Sequence, residues 1–122
     1  MKIAICGKMG TGKTYLADYI AKKYDFIKTS FAKRLKTLAE ELFDMTHKDR
    51  GLLINFATKM REIDSRVWIK AMFRDIKNVD NVVLDDLRLN NEYITLKESG
   101  WFIIKIDINE NERISRLKQK YG

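Results

Sequence analysis

Gly7-Lys8-Met9-Gly10-Thr11-Gly12-Lys13-Thr14 is the stretch of this chain best equipped for chemistry, and that chemistry is the holding of a polyphosphate. The run fits the pattern G-x-x-x-x-G-K-[ST] of a phosphate-binding loop. Gly7, Gly10 and Gly12 admit backbone conformations closed to residues with a Cβ, and they let peptide N–H groups come close to an anion. Lys13 is then expected at the outer phosphates, and the Thr14 hydroxyl on a Mg²⁺ ion carried with them.

A second candidate is Asn81-Val82-Val83-Leu84-Asp85-Asp86, a short apolar strand that runs into two carboxylates. Such a strand resembles the Walker B element, which sets a carboxylate beside the loop and its Mg²⁺. Asp85 and Asp86 are therefore the metal candidates. No general base is evident: His47, the one histidine, lies in a polar loop and reads as a surface residue.

The elements that must position these groups follow from periodicity. Lys2-Ile3-Ala4-Ile5-Cys6 is short, mostly apolar and bounded by glycine, as a buried parallel strand is. Tyr15, Leu16, Tyr19, Ile20 and Tyr24 then recur at helical spacing, giving strand, glycine loop and helix, whose N-terminus adds free amides and a positive dipole end. Asp25 to Ser30 reads as a short strand. A helix opens at Phe31 behind Ser30 as N-cap, with Phe31, Leu35, Leu38, Leu42 and Phe43 on one face.

Asp44 to Gly51 reads as a polar loop that could flank a substrate, and Leu52 to Ile63 as a third helix. Asp64-Ser65 is expected to cap a fourth, carrying Val67, Trp68, Ala71, Met72 and Ile76 and ending near Asn78. After the Asn81 strand, a helix from Asn90 to Ser99 stops at Gly100. Trp101 to Asp107 is a fourth strand, and Asn109 caps a last helix with Glu112 three residues on. Strands alternating with helices predict a parallel sheet covered on both faces.

At 122 residues the chain is expected to be one small α/β domain, without linker, repeat or proline. No apolar run is long enough to span a membrane, and Cys6 is alone, so a cytoplasmic, reducing setting is the expectation. The net charge is +7, but acidic residues are interspersed, as where Lys33-Arg34-Lys36 precedes Glu40-Glu41. That favours a solvated surface with a phosphate-lined cleft over a dedicated nucleic-acid face.

Three stretches together resemble the nucleoside monophosphate kinase group of P-loop proteins, most closely the phage-type deoxynucleoside monophosphate kinases. They are the glycine loop, Ser30-Phe31-Ala32-Lys33-Arg34-Leu35-Lys36, and Asp86-Leu87-Arg88-Leu89-Asn90-Asn91-Glu92 with Gly100 and a strand after it. Arg61 and Trp68 also fall where that group tends to have Arg and Trp. The resemblance implies a compact α/β fold of the P-loop NTPase type. It implies ATP on Gly7, Gly10, Thr11, Gly12, Lys13, Thr14 and Tyr15, Mg²⁺ at Thr14 and Asp86 with Asp85 ranked second, and Arg88 gripping the transferring or acceptor phosphate. Ser30, Phe31, Arg34, Lys36 and Arg61 resemble the walls of the monophosphate site, although core packing is the favoured role of Phe31 and Trp68 over base stacking.

Relatives usually continue into a lid, a final strand and a helix, whereas the sequence ends at Gly122. The expectation is a single domain, 1–122, lacking a full lid, in which Arg113 and Arg116 either stand in for lid arginines or are plain surface charges. The implied reaction is phosphoryl transfer from ATP to a (deoxy)nucleoside monophosphate, with those small molecules as partners, no membrane, and a homo-oligomer left open. Two other readings stand beside it: a kinase of another small phosphorylated or hydroxyl metabolite, and a truncated, non-catalytic nucleotide-binding protein whose basic surface takes nucleic acid or a protein partner.

Overall fold

The computed structural model describes residues 1–8, 10–107 and 110–121, apart from the side chains of Glu110, Glu112, Arg113, Arg116, Lys120 and Tyr121. Ile3, Ala4 and Ile5 are buried in succession, so the strand they form, β1 (Lys2–Cys6), has both faces covered. A buried run of this kind belongs in the interior of a parallel sheet. β1 does lie inside one, with strand order β2-β3-β1-β4, where β2 is Ile27–Thr29, β3 Val82–Leu87 and β4 Phe102–Lys105.

β1 pairs in parallel with β3 from Lys2↔Val82 to Ala4↔Leu84, and with β4 from Ile3↔Phe102 to Cys6↔Lys105. The amino-terminal group of Met1 fixes the start of this register by donating to the Asp80 carbonyl at 2.9 Å and to Asn81 Oδ1 at 2.8 Å. Helix α1 (Lys13–Tyr24) lays Ala17 and Ile20 on Ile3, Ile5 and Val83, with Leu16, Ala21, Phe26, Ile104 and Ile106 packed around them. Ala4, Val82 and Leu84 are wholly buried as well, so the sheet is covered on both sides.

The chain forms two compact units: Met1–Lys28 with Val79–Gly122, and Thr29–Asn78. The first holds the sheet, α1, α5 (Asn90–Glu98) and α6 (Glu110–Tyr121). The second is helical, with α2 (Phe31–Phe43) against α3 (Arg50–Ile63) and α4 (Val67–Asp75). In it the half-buried Phe56 ring meets Phe43 and Trp68 edge-on at centroid distances of 5.3 and 5.7 Å, while the Trp68 indole N–H donates to the Ala57 carbonyl at 3.4 Å. Phe31 and Trp68 are buried, the core role expected of them.

Some boundaries differ from the sequence reading, each for a local reason. Asp25 takes a left-handed conformation, φ 59°, and closes α1, so β2 begins only at Ile27. The Asp49 carboxylate accepts from the Leu52 amide and starts α3 at Arg50. Asp64 closes α3 through its own amide to the Met60 carbonyl, and α4 starts at Val67 and stops at Asp75. Gly100, at φ 85°, ends α5 in a Schellman turn: its amide donates to Lys97 and that of Trp101 to Leu96. The expected cap Asn109 lies outside the described residues.

Candidate phosphate-binding site

β1 ends at Cys6, whose carbonyl accepts from the Ile106 amide at 2.9 Å. A Cβ on the next residue, Gly7, would stand 2.8 Å from the Thr11 hydroxyl oxygen and 3.0 Å from the Ile106 carbonyl, so only glycine fits. Thr11 is buried and spends its hydroxyl on the Lys8 carbonyl at 2.7 Å, with its amide on the same oxygen at 3.3 Å. Gly10 and Gly12, at φ 86° and 90°, then turn the backbone into α1 through conformations that side chains disfavour.

Ser30 and Asp49 cap their helices with side-chain oxygens, but α1 starts on Gly12 with no side-chain cap. Its first internal hydrogen bond runs from the Leu16 amide to the Gly12 carbonyl at 3.0 Å. The amides before Leu16 are the orphan donors of the helix, and with the dipole they favour an anion there. Lys13 bends back over the loop and donates from Nζ to the Gly7 carbonyl at 2.8 Å. Thr14 follows in the same helical turn, and Tyr15 is largely exposed.

Burial, and after it the nearby Arg88 guanidinium, holds the Lys13 ammonium below the usual lysine range, while Asp85, Asp86 and Cys6 pull it upward. Two carboxylates and a guanidinium from the end of β3 thus act on the loop lysine. Consecutive strand residues ordinarily point to opposite faces. Here the pairing slips: Ala4 is opposite Leu84 and Cys6 opposite Leu87, so β3 spends one residue more than β1 across Asp85-Asp86. An extra residue of this kind re-aims side chains at a strand end.

Glu92 stands in a stretch that carries the resemblance, but sequence reasoning gave it no role. Buried near the start of α5, its Oε1 accepts from the amides of Arg88 at 3.1 Å and Leu89 at 2.9 Å. It supplies the backward half of a capping box whose N-cap position holds Leu89, a side chain with no acceptor. The signal was a glutamate three residues into a helix.

Asp85 is mostly buried and lies 3.5 Å from Lys28 Nζ on β2, and Lys28 also donates to Asp18 on α1 at 2.8 Å. Burial works against the Lys28 charge, but the hydrogen bond with Asp18 and the fields of Asp85 and Asp18 outweigh it and hold the ammonium above its usual range. Among the described residues no three His, Cys, Asp or Glu side chains come together as a metal cage. Thr14, Asp85 and Asp86 offer hard oxygen donors, the chemistry that a Mg²⁺ takes.

The remaining candidates belong to the helical unit or to α6. Ser30 accepts from the Lys33 amide at 3.0 Å as the cap of α2. Arg34 is ion-paired with Asp75, its Nε donating to Oδ2 at 3.4 Å, and that carboxylate holds the guanidinium above its usual range. Lys36 is exposed, and half-buried Arg61 reaches Thr58 at 3.5 Å. Arg113 and Arg116 lie on the backbone of α6, with their side chains outside the described residues.

The AAA domain family matches residues 3–121. A candidate deoxynucleotide monophosphate kinase of Acanthamoeba polyphaga mimivirus is 27% identical over 140 residues, covering 86% of this chain and 72% of that protein. A gluconokinase from Sinorhizobium meliloti 1021 shares the fold with a TM-score of 0.59 at 16% identity, over 99% of this chain. The chain spans 65% of that kinase's length. Deoxyadenosine kinase from M. mycoides, solved with dATP, shares it with a TM-score of 0.53 at 21% identity, over 100% of this chain and 72% of its own.

Proposed function

Because this chain belongs to the AAA domain family of P-loop proteins, with a fold of the P-loop kinase type, we propose that it transfers a phosphoryl group from ATP to a (deoxy)nucleoside monophosphate. The observation that supports this reading is the glycine cradle over which Lys13 folds back onto the Gly7 carbonyl, with Arg88, Asp85 and Asp86 near enough to act on its charge. The mimivirus relative, a candidate deoxynucleotide monophosphate kinase, supports the choice of acceptor.

Phosphoryl transfer asks a protein for positioning and charge neutralisation more than for covalent chemistry. In this reading the amides opening α1 and the Lys13 ammonium hold the β- and γ-phosphates of ATP. Arg88, kept in place by Glu92, neutralises charge that develops on the transferring group. The Thr14 hydroxyl and Asp86 would hold a Mg²⁺ bound with ATP, and that ion would supply further neutralisation of phosphate charge. A monophosphate is already an anionic nucleophile and needs no base. His47 fits that picture, since it sits on an exposed loop beside Thr46, 3.5 Å away. In the helical unit Ser30, Arg34, Lys36 and Arg61 are the candidates for the acceptor phosphate, and Arg113 and Arg116 on α6 for clamping the phosphates.

The test is ADP formation from ATP and Mg²⁺ across deoxynucleoside and ribonucleoside monophosphates, phosphomevalonate, shikimate, gluconate and free nucleosides. Turnover highest with a deoxynucleoside monophosphate is the expected result. A free nucleoside or a sugar preferred over every monophosphate would overturn it, and ATP binding without turnover on any acceptor would leave a nucleotide-binding protein.

A further inference from the structure

Arg34 and Asp75 meet along one defined edge of the guanidinium. Arg34 on α2 donates from Nε to Oδ2 of Asp75 at 3.4 Å and from Nη2 to Oδ1, so the carboxylate, on the last residue of α4, lies across the side-on edge. The end-on edge, formed by Nη1 and the other N–H of Nη2, is not engaged by Asp75, and the arginine side chain is 43% exposed. That edge carries two parallel donors, the geometry that two oxygens of a phosphate match. An exposed ion pair adds little to stability, and α2 and α4 bury apolar side chains besides it: Phe31, Ala39, Trp68, Ile69 and Met72. What the pair does supply is order in a long side chain, and a group ordered beforehand gives up less freedom when a ligand arrives. Of the other candidates in the helical unit, Lys36 is exposed and Arg61 reaches the Thr58 hydroxyl at 3.5 Å; among the described residues neither is paired with a carboxylate.

We infer that Asp75 is a positioning residue that holds Arg34 so that the end-on edge of its guanidinium receives the phosphate of the acceptor. Resting on the monophosphate reading, this deepens it: Arg34 selects a phosphorylated acceptor and Asp75 aims Arg34. A sugar or nucleoside hydroxyl offers one oxygen to that edge where a phosphate offers two and a charge, so the held arginine favours the phosphate.

The test is steady-state kinetics of the full chain with ATP, Mg²⁺ and the monophosphate it turns over best. Asp75→Ala should raise the KM for the monophosphate about tenfold by letting the guanidinium swing out of line, with kcat and the KM for ATP little changed. Asp75→Asn keeps one oxygen acceptor and should fall between that variant and the wild type. Arg34→Ala removes a hydrogen bond to a charged group and should raise the same KM about 10- to 100-fold. Adding Asp75→Ala to Arg34→Ala should raise it no further, because Asp75 acts only through the arginine. Far-UV circular dichroism checks the fold of each variant, and Asp75→Asn carries the test if Asp75→Ala does not fold. Additive effects in the double variant, an unchanged KM in the Asp75 variants or in Arg34→Ala, or a lower KM without the carboxylate would each overturn the inference and leave the kinase reading in place. A wild-type protein that turns over no monophosphate would overturn both, and that result is seen before any variant is made.

Discussion

The Lys13 ammonium donates to the carbonyl of Gly7, 2.8 Å away and six residues back, so the loop lysine is tied to the loop it serves. One of its three N–H groups is committed there, which aims the other two. Lys13→Ala should therefore lose ATP with little cost to the fold, since the contact removed lies at the rim and not in the core. A hydrogen bond to a charged group contributes about 1.5–3 kcal/mol, so ATP affinity should fall roughly 10- to 100-fold and turnover should disappear. Calorimetry and a coupled ADP assay measure both, and wild-type turnover in the variant would remove Lys13 from the site.

Gly7→Ala tests the cradle from its floor. The new methyl group would press on the Thr11 hydroxyl and on the Ile106 carbonyl. Overpacking of this kind costs about 1–3 kcal/mol, to be read as a lower Tm together with weaker ATP binding. Adding Thr11→Ala clears only the first obstacle, because the second is backbone. The double variant should therefore stay impaired; full recovery would mean that the Ile106 carbonyl yields.

Glu92 connects stability to turnover. Glu92→Ala leaves the Arg88 and Leu89 amides without their acceptor, a loss of about 1–3 kcal/mol, and it frees the backbone that carries the Arg88 side chain. We expect kcat to fall more than the KM for ATP rises, in the same direction as Arg88→Ala, and Glu92→Gln to recover most of both, since it keeps an oxygen acceptor. Unchanged kcat in a stably folded Glu92→Ala would show that Arg88 does not depend on it.

The pH dependence has a defined sign. Burial and Arg88 lower the Lys13 ammonium from its usual range, so the charged form is lost as pH rises through a value below that of an ordinary lysine. The alkaline limb of ATP binding to the free protein should reflect that loss. Arg88→Ala removes a repelling charge and should move the limb to higher pH, while Asp85→Asn removes an attracting one and should move it lower. Limbs that coincide in all three proteins would contradict this arrangement.

The order strand, loop and helix could be read from Gly7 to Thr14 because the motif and the hydrophobic periodicity on either side of it are local properties. Ser30 as a cap and Gly100 as a stop were legible for the same reason. The start of α3 at Arg50 was missed because Asp49 sits in a polar run whose capping role shows only once its carboxylate is seen on the Leu52 amide. Nothing in the sequence near Lys28 announces Asp85, and pairing between separate strands decides that contact. The slip in β3 was hidden likewise, since Val82 to Asp86 reads as an ordinary strand until β1 is laid beside it.

The strand that leads into the glycine loop has its partners far along the chain. Lys2 pairs with Val82 and Ile3 with Phe102, so β1 has no neighbour until the residues from Val82 onward have been made. The helical unit is one continuous stretch, Thr29–Asn78, and its contacts are local by comparison. Local contacts form faster than those that close long loops. During synthesis the helices should thus gather first, while Ile3, Ala4 and Ile5 wait unpaired, open to chaperones and to aggregation. The phosphate cradle would be among the last parts of the molecule to take shape.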